Sequence, residues 1–211
     1  MPFMTDDIMA AVTAERTDHA DLLATLDPGQ WDAPTLCAGW RVKEVVAHTT
    51  MPFRTSVGRF ALDLIRARGN FDRMADRAAR RDAARLTTAH LLRSVRDNVA
   101  HPWKPPGGGL AGALSHDVIH GLDITVGLGL DRRVPVGRLA LVFDAMTPRS
   151  VGYFGTDLDG VRLEATDLDW SHGTGRPVRG LAQHLLLVVC GRRLPPGLLD
   201  GDRAERYTRT A

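Results

Sequence analysis

The chain has almost no cysteine, almost no lysine and no long apolar run. Cys37 and Cys190 are the only cysteines in 211 residues, and they lie far apart. Disulfides therefore cannot be the main framework here. The expected state is two buried or half-buried thiols in a reducing cytoplasm. No apolar stretch reaches the roughly 18 residues that span a bilayer, so no membrane segment is expected. The start, Met1-Pro2-Phe3-Met4-Thr5-Asp6-Asp7, has no basic stretch ahead of an apolar core, so no signal peptide is expected either. Lys43 and Lys104 are the sole lysines, which leaves arginine to supply nearly all of the 27 basic residues. With abundant alanine, that points to a GC-rich genome more than to a function. The net charge is +2 and the arginines are scattered, which excludes a dedicated nucleic-acid face. Repeats and low-complexity tracts are missing too.

What is present is mostly helical pattern. Asp6 to Leu26 places Ile8, Val12, Leu22, Leu23 and Leu26 near one side, and Asp27-Pro28-Gly29 stops it. A loop with Trp31 and Trp40 follows, and two tryptophans in so short a connection predict tight packing. A second helix is expected from Arg41 to about Ala67. Its stripe is Val42, Val45, Val46, Phe53, Val57, Phe60 and Leu64, with an interruption at Pro52. Residues 71–100 read as two arginine-rich helical pieces with a break between Asp82 and Thr87. A fourth long helix spans about Leu110 to Gly127. Beyond Gly129 the pattern changes to a helix from Val136 to Met146 that Pro148 ends. An alternating strand from Val161 to Asp167, a turn region from Asp169 to Gly175, a short strand near Pro177–Arg179 and an apolar helix from Leu181 to Val189 complete it. The expected organisation is mainly α: a four-helix bundle over 1–132, then a small α+β domain over 133–211.

The fourth helix carries the chemistry. Leu110, Leu114, Val118 and Leu122 form one apolar face, while His116, His120 and Asp123 cluster on the opposite side beside Gly112, Ala113 and Gly127. A solvated face would carry Lys, Glu or Arg. Two histidines among small residues suit the wall of a cavity. Spacing of four puts the imidazoles one turn apart on one face. His48 lies on the second helix. If the two helices face each other, three imidazoles can surround one metal ion and leave positions open, as catalytic sites do. Three neutral imidazoles leave a divalent charge uncompensated, which favours an anionic fourth ligand, hydroxide or thiolate. Asp123 is either a carboxylate that orients an imidazole or a surface charge. Arg54 and Arg80 are candidates for holding anionic groups. His116-Asp117-Val118-Ile119-His120 also looks like the H-E-x-x-H of zinc proteases. Aspartate is one methylene shorter than glutamate, so the water-activating geometry does not carry over.

Three stretches resemble one family. They are Trp31 with Pro34-Thr35-Leu36-Cys37-Ala38-Gly39-Trp40-Arg41 through His48, then His116 to Ile124, and Gly160 to Asp167 with Trp170, Gly173, Gly175, Val178, Gly180 and Leu185 to Arg192. In this order they resemble the mycothiol-dependent maleylpyruvate isomerase family of the DinB-like superfamily. The resemblance implies a DinB-like four-helix bundle with His48, His116 and His120 holding a divalent metal, usually zinc. It also implies a small C-terminal domain, and mycothiol, a thiol of actinobacteria, as cosubstrate. One departure stands out: the isomerase itself looks to have glutamate where this chain has His116. A three-histidine set resembles the wider DinB-like pattern, including mycothiol and bacillithiol S-transferases.

The expected function is thus a cytoplasmic, metal-dependent enzyme, a thiol S-transferase or a cis–trans isomerase. Its partners would be a small-molecule thiol and an electrophilic substrate, with no nucleic acid and no membrane, in a monomer or homodimer. Two rivals remain at this level: a metal hydrolase using bound hydroxide, and a non-catalytic DinB-like binding or stress protein.

Overall fold

The computed structural model describes residues 5–210. Met1 to Met4, at the start where no secretion signal is expected, lie outside the described residues. The chain divides into two compact units at the His120/Gly121 junction, within one continuous helix.

The first unit is helical. Helix α1 (Thr5–Thr25) buries Val12, Glu15, Arg16, His19, Ala20 and Leu23. These fall three or four apart, so they share one face. The face differs from the expected apolar stripe because three of its members are polar. A one-turn helix, α2 (Pro28–Trp31), follows at Asp27-Pro28-Gly29, where a stop was expected. Asp27 caps it by accepting from Gln30 N, and the Gln30 side chain accepts from Asp27 N. The next loop does pack down: Trp31 and Trp40 are buried. Thr35 Oγ1 donates to the Trp40 carbonyl at 2.9 Å and accepts from Cys37 N at 3.2 Å.

The expected long second helix is three helices, α3 (Val42–Thr49), α4 (Met51–Arg54) and α5 (Val57–Arg66). Pro52 has no N–H to continue the ladder, so the first break falls beside it as anticipated. The second break was not read: Ser56 caps α5 by accepting from Arg59 N. That restart changes the helical phase. Val42, Val45 and Val46 are fully buried, whereas Val57, placed on the same stripe by the sequence, is 85% exposed. Helices α6 (Phe71–Arg85) and α7 (Thr88–Arg96) split where expected, with Thr87 capping the second. Helix α6 packs on α3 and α5, and α7 packs on α1 and α3. Helix α8 (Gly109–Gly127) matches the expected fourth helix. Side chains of its first half meet α3 through His116 and His48, and α1 through Asp117 and Arg16.

The second unit holds α9 (Val136–Asp144), α10 (Pro148–Tyr153), α11 (Ala182–Val189) and a small sheet. Pro148, read as a terminator, opens α10 instead; proline is well suited to a first turn because its missing N–H is unpaired there anyway. The sheet order is β2-β1-β3-β4, from β1 (Val161–Ala165), β2 (Ser171–Gly173), β3 (Arg176–Gly180) and β4 (Leu199–Asp200). β1 and β3 are parallel with Leu163 opposite Val178, and β2 and β4 run antiparallel on the outside. β2 was read as part of a turn, since three residues are too few to show alternation. Between β2 and β3 the chain crosses hard against the start of β1. A Cβ at Gly175, whose φ is +129°, would lie 2.3 Å from Gly160 O. Only glycine fits there. The wholly buried α11 packs on β1 and β3. Its first turn is fixed by Asp167, which accepts from Ala182 N at 2.7 Å. Among the described residues no helix is long and apolar enough to cross a membrane.

Candidate metal centre

The site begins with the way α3 starts. Glu44 Oε2 accepts from the Arg41 backbone N at 3.0 Å, and the Arg41 guanidinium returns to the same carboxylate at 2.6 Å and 3.0 Å. Burial pushes the Glu44 carboxyl up, but the hydrogen bonds from Arg41 outweigh it and leave it below its ordinary value. This cap fixes the first turn, and His48 follows one turn after Glu44, next to last in the helix. At that end Arg54 donates to the Ala47 carbonyl at 2.7 Å.

His48 meets the two histidines of α8. Its Nε2 lies 3.2 Å from His116 Nε2. One ligand atom from each of His48, His116 and His120 falls within 4.8 Å of the others. Two nitrogens bound tetrahedrally to zinc at about 2.05 Å sit roughly 3.3 Å apart. The His48–His116 spacing is therefore close to that of a ligand pair. His48 is buried, and its Nδ1 has no hydrogen-bond partner among the described residues. The fold thus satisfies this ring only on the side that faces the other two. Burial, then the nearby His120 and His116, hold His48 well below an ordinary histidine. It is a neutral, lone-pair-bearing ring at neutral pH, as a ligand must be. The donor set fits a divalent ion with N-donor preference.

Two tryptophans wall the cluster. The Trp40 ring centroid is 5.1 Å from that of His48 and 6.5 Å from that of His120. Trp103 meets His116 edge-on at 5.3 Å. Trp40 is pinned because its Nε1 donates to Asp76 Oδ1 at 2.8 Å.

The carboxylate beside the cluster is Asp117, which the sequence reading weighed only as a water-activating residue and set aside. His116 Nδ1 lies 3.2 Å from Asp117 Oδ1, and Arg16 Nε donates to Asp117 Oδ2 at 2.7 Å. Burial raises the Asp117 carboxyl, but His116 and Arg16 outweigh this and keep it below its ordinary value. A signal for Arg16 did exist, because it falls in helical phase with Val12 and Leu23. Asp123, the expected orienting carboxylate, is fully buried and accepts from Arg192 Nε and Nη2, each at 2.9 Å. Arg54 also gives Nη1 to Asp82 at 2.8 Å. Arg80 donates to Asp76 at 2.8 Å and keeps about half its side chain exposed. Both arginines therefore have partners within the bundle, and Arg80 shares Asp76 with Trp40.

Residues 12–102 match a family model described as the mycothiol maleylpyruvate isomerase N-terminal domain. Two solved structures share the fold across 96% of this chain and 94% of theirs. One is a histidine-to-alanine mutant of the mycothiol-dependent maleylpyruvate isomerase, at a TM-score of 0.62 and 11% identity. The other is that isomerase itself, at 0.53 and 12%. No curated protein matches the chain.

Proposed function

We propose, from the match of residues 12–102 to the mycothiol maleylpyruvate isomerase N-terminal domain, that the chain is a member of that family and a metal-dependent enzyme that uses mycothiol. The observation that carries this is the convergence of His48, His116 and His120. A divalent ion, zinc by preference for three imidazoles, supplies the positive charge that keeps the cosubstrate sulfur as thiolate at neutral pH.

The residues of the chain do the rest. Burial keeps His48 neutral, so its lone pair is available. Asp117 accepts from His116 Nδ1 and leaves Nε2 facing inward. Trp40 and Trp103 exclude water from two sides of the cluster, which strengthens electrostatics there. Arg80, with half its side chain in solvent, is the arginine assigned to an anionic group of a small molecule. Arg54 is given the supporting task of tying α4 to α6 and closing the end of α3. Asp123, one turn after His120, keeps the orienting role toward that imidazole, with Arg192 holding the carboxylate in place.

The thiolate sulfur attacks an electrophilic carbon of the second substrate. In S-transfer the C–S bond persists and the displaced group leaves with its electron pair. In isomerisation the sulfur adds to one alkene carbon, the C–C bond rotates, and elimination restores both the alkene and the thiol. His116, where the resemblance leads one to expect glutamate in the isomerase, favours S-transfer or a substrate other than maleylpyruvate. We assign the work to the cytoplasm, where such thiols are reduced, and take the bundle to extend to residue 132.

The test is an assay of purified, zinc-loaded protein with mycothiol and a set of electrophiles including maleylpyruvate. Turnover that needs both thiol and metal, and that disappears in His120→Ala, is expected. Metal-dependent ester or amide hydrolysis without thiol would refute the thiol reading.

A further inference from the structure

Arg16 sits in the middle of α1 and is 3% exposed. A guanidinium so buried is costly unless it meets a carboxylate and further acceptors. Its Nε donates to Asp117 Oδ2 and its Nη1 donates to the His101 carbonyl, each at 2.7 Å. Its Cζ lies 5.2 Å from the centre of the Phe53 ring. Nη2 has no partner among the described residues, and Arg16 borders a cavity of about 20 Å³ that Thr49, Thr50 and Val95 also line. The His101 carbonyl thus anchors the guanidinium, and the guanidinium fixes where Asp117 stands.

The other Asp117 oxygen is 3.2 Å from His116 Nδ1. Guanidinium, carboxylate and imidazole form one line. A carboxylate anchored on one oxygen accepts an N–H on the other, so the imidazole proton is held on Nδ1 and the lone pair on Nε2. His116 Nε2 is the atom that faces His48 Nε2. Lysine would keep the charge but lose the fork that reaches Asp117 and the His101 carbonyl at once.

We propose that Arg16 is a positioning residue of the metal centre: by anchoring Asp117 it sets the Nδ1–H tautomer of His116 and aims Nε2 at the ion. This rests on the metal reading of the three histidines.

Cobalt(II) titration of the full chain, with a competing chelator, tests it. Wild type is compared with Arg16→Met, Arg16→Lys, Asp117→Asn and the double variant Arg16→Met/Asp117→Asn, each checked for folding by circular dichroism without metal. Arg16→Met and Asp117→Asn should each weaken cobalt binding about tenfold or more. Arg16→Lys should fall between them and wild type. The double variant should bind no more weakly than Asp117→Asn alone, because both changes cut the same line. Equal affinity in wild type and folded Arg16→Met, or additive losses in the double variant, would overturn the proposal. If the variants do not fold, the ring ¹⁵N shifts of His116 in metal-free wild type decide: Nδ1–H supports the proposal and Nε2–H overturns it. A wild type that takes up no cobalt sinks the metal reading instead, and the tautomer still reads out the Arg16 arrangement.

Discussion

Replacing Asp123 by asparagine should destabilise the fold strongly. Asp123 is fully buried, and both its oxygens accept from Arg192 at 2.9 Å. Arg192 is 17% exposed in its side chain and also donates to the Cys190 carbonyl at 2.9 Å. Cutting one side of a buried pair costs about 3–5 kcal/mol, because the other charge stays behind without its counter-charge. Arg192 can recover some hydration at its exposed edge, so the lower part of that range, about 3 kcal/mol, applies to Asp123→Asn. The reverse change, Arg192→Met, takes the guanidinium from a carboxylate with no exposure at all and should cost more. With a urea slope of about 2–3 kcal/mol per molar, Asp123→Asn lowers the unfolding midpoint by about 1 M or slightly more. The double change Asp123→Leu/Arg192→Met removes both charges and should return most of the loss, to within about 1 kcal/mol of wild type. Urea unfolding followed by circular dichroism reads all four proteins. The reasoning fails if Asp123→Asn unfolds within about 0.5 kcal/mol of wild type, or if the double variant is no better than Arg192→Met.

Two further outcomes follow from the buried groups. His48 is held well below the ordinary histidine value of 6.5, first by burial and then by its two histidine neighbours. The unfolded chain binds that proton more readily, so the contribution of neutral His48 is complete above about pH 6.5 and is lost as pH falls below it. Melting of the metal-free protein should therefore fall from pH 7 to pH 5 more steeply in wild type than in His48→Gln; equal slopes would contradict this. Burial pushes the Cys190 thiol up to about 12. At pH 8 peptide mapping after iodoacetamide should find Cys190 unmodified in the native protein and labelled only after unfolding; native labelling at the denatured rate would contradict its burial.

The parts of the molecule legible in the sequence are those governed by local pattern. The spacing of His116 and His120, set opposite Leu114, Val118 and Leu122, puts two imidazoles on one helix face, and His48 meets them there. Pro52 announced the first break after His48. What escaped was decided by caps and by distant partners. Ser56 restarts a helix and turns Val57 outward, although periodicity alone runs straight through it. Asp117 drew no attention as an orienting group because its partner Arg16 is 101 residues away. Asp123 could be picked out because it follows His120 by one turn, but its buried bond to Arg192, 69 residues on, could not. Three polar residues on the buried face of α1, Glu15, Arg16 and His19, broke the apolar stripe that reading by hydrophobicity relies on. Polar groups buried beside a candidate site need partners, and those partners come from tertiary structure.

The claim that everything else depends on is that three histidines hold one metal ion. Elemental analysis of wild type and His48→Ala, purified side by side and checked for folding, tests it directly. A stoichiometric divalent metal is expected in wild type and little or none in folded His48→Ala. Equal metal content in the two proteins, or a wild type that neither retains nor takes up a divalent ion, would contradict it.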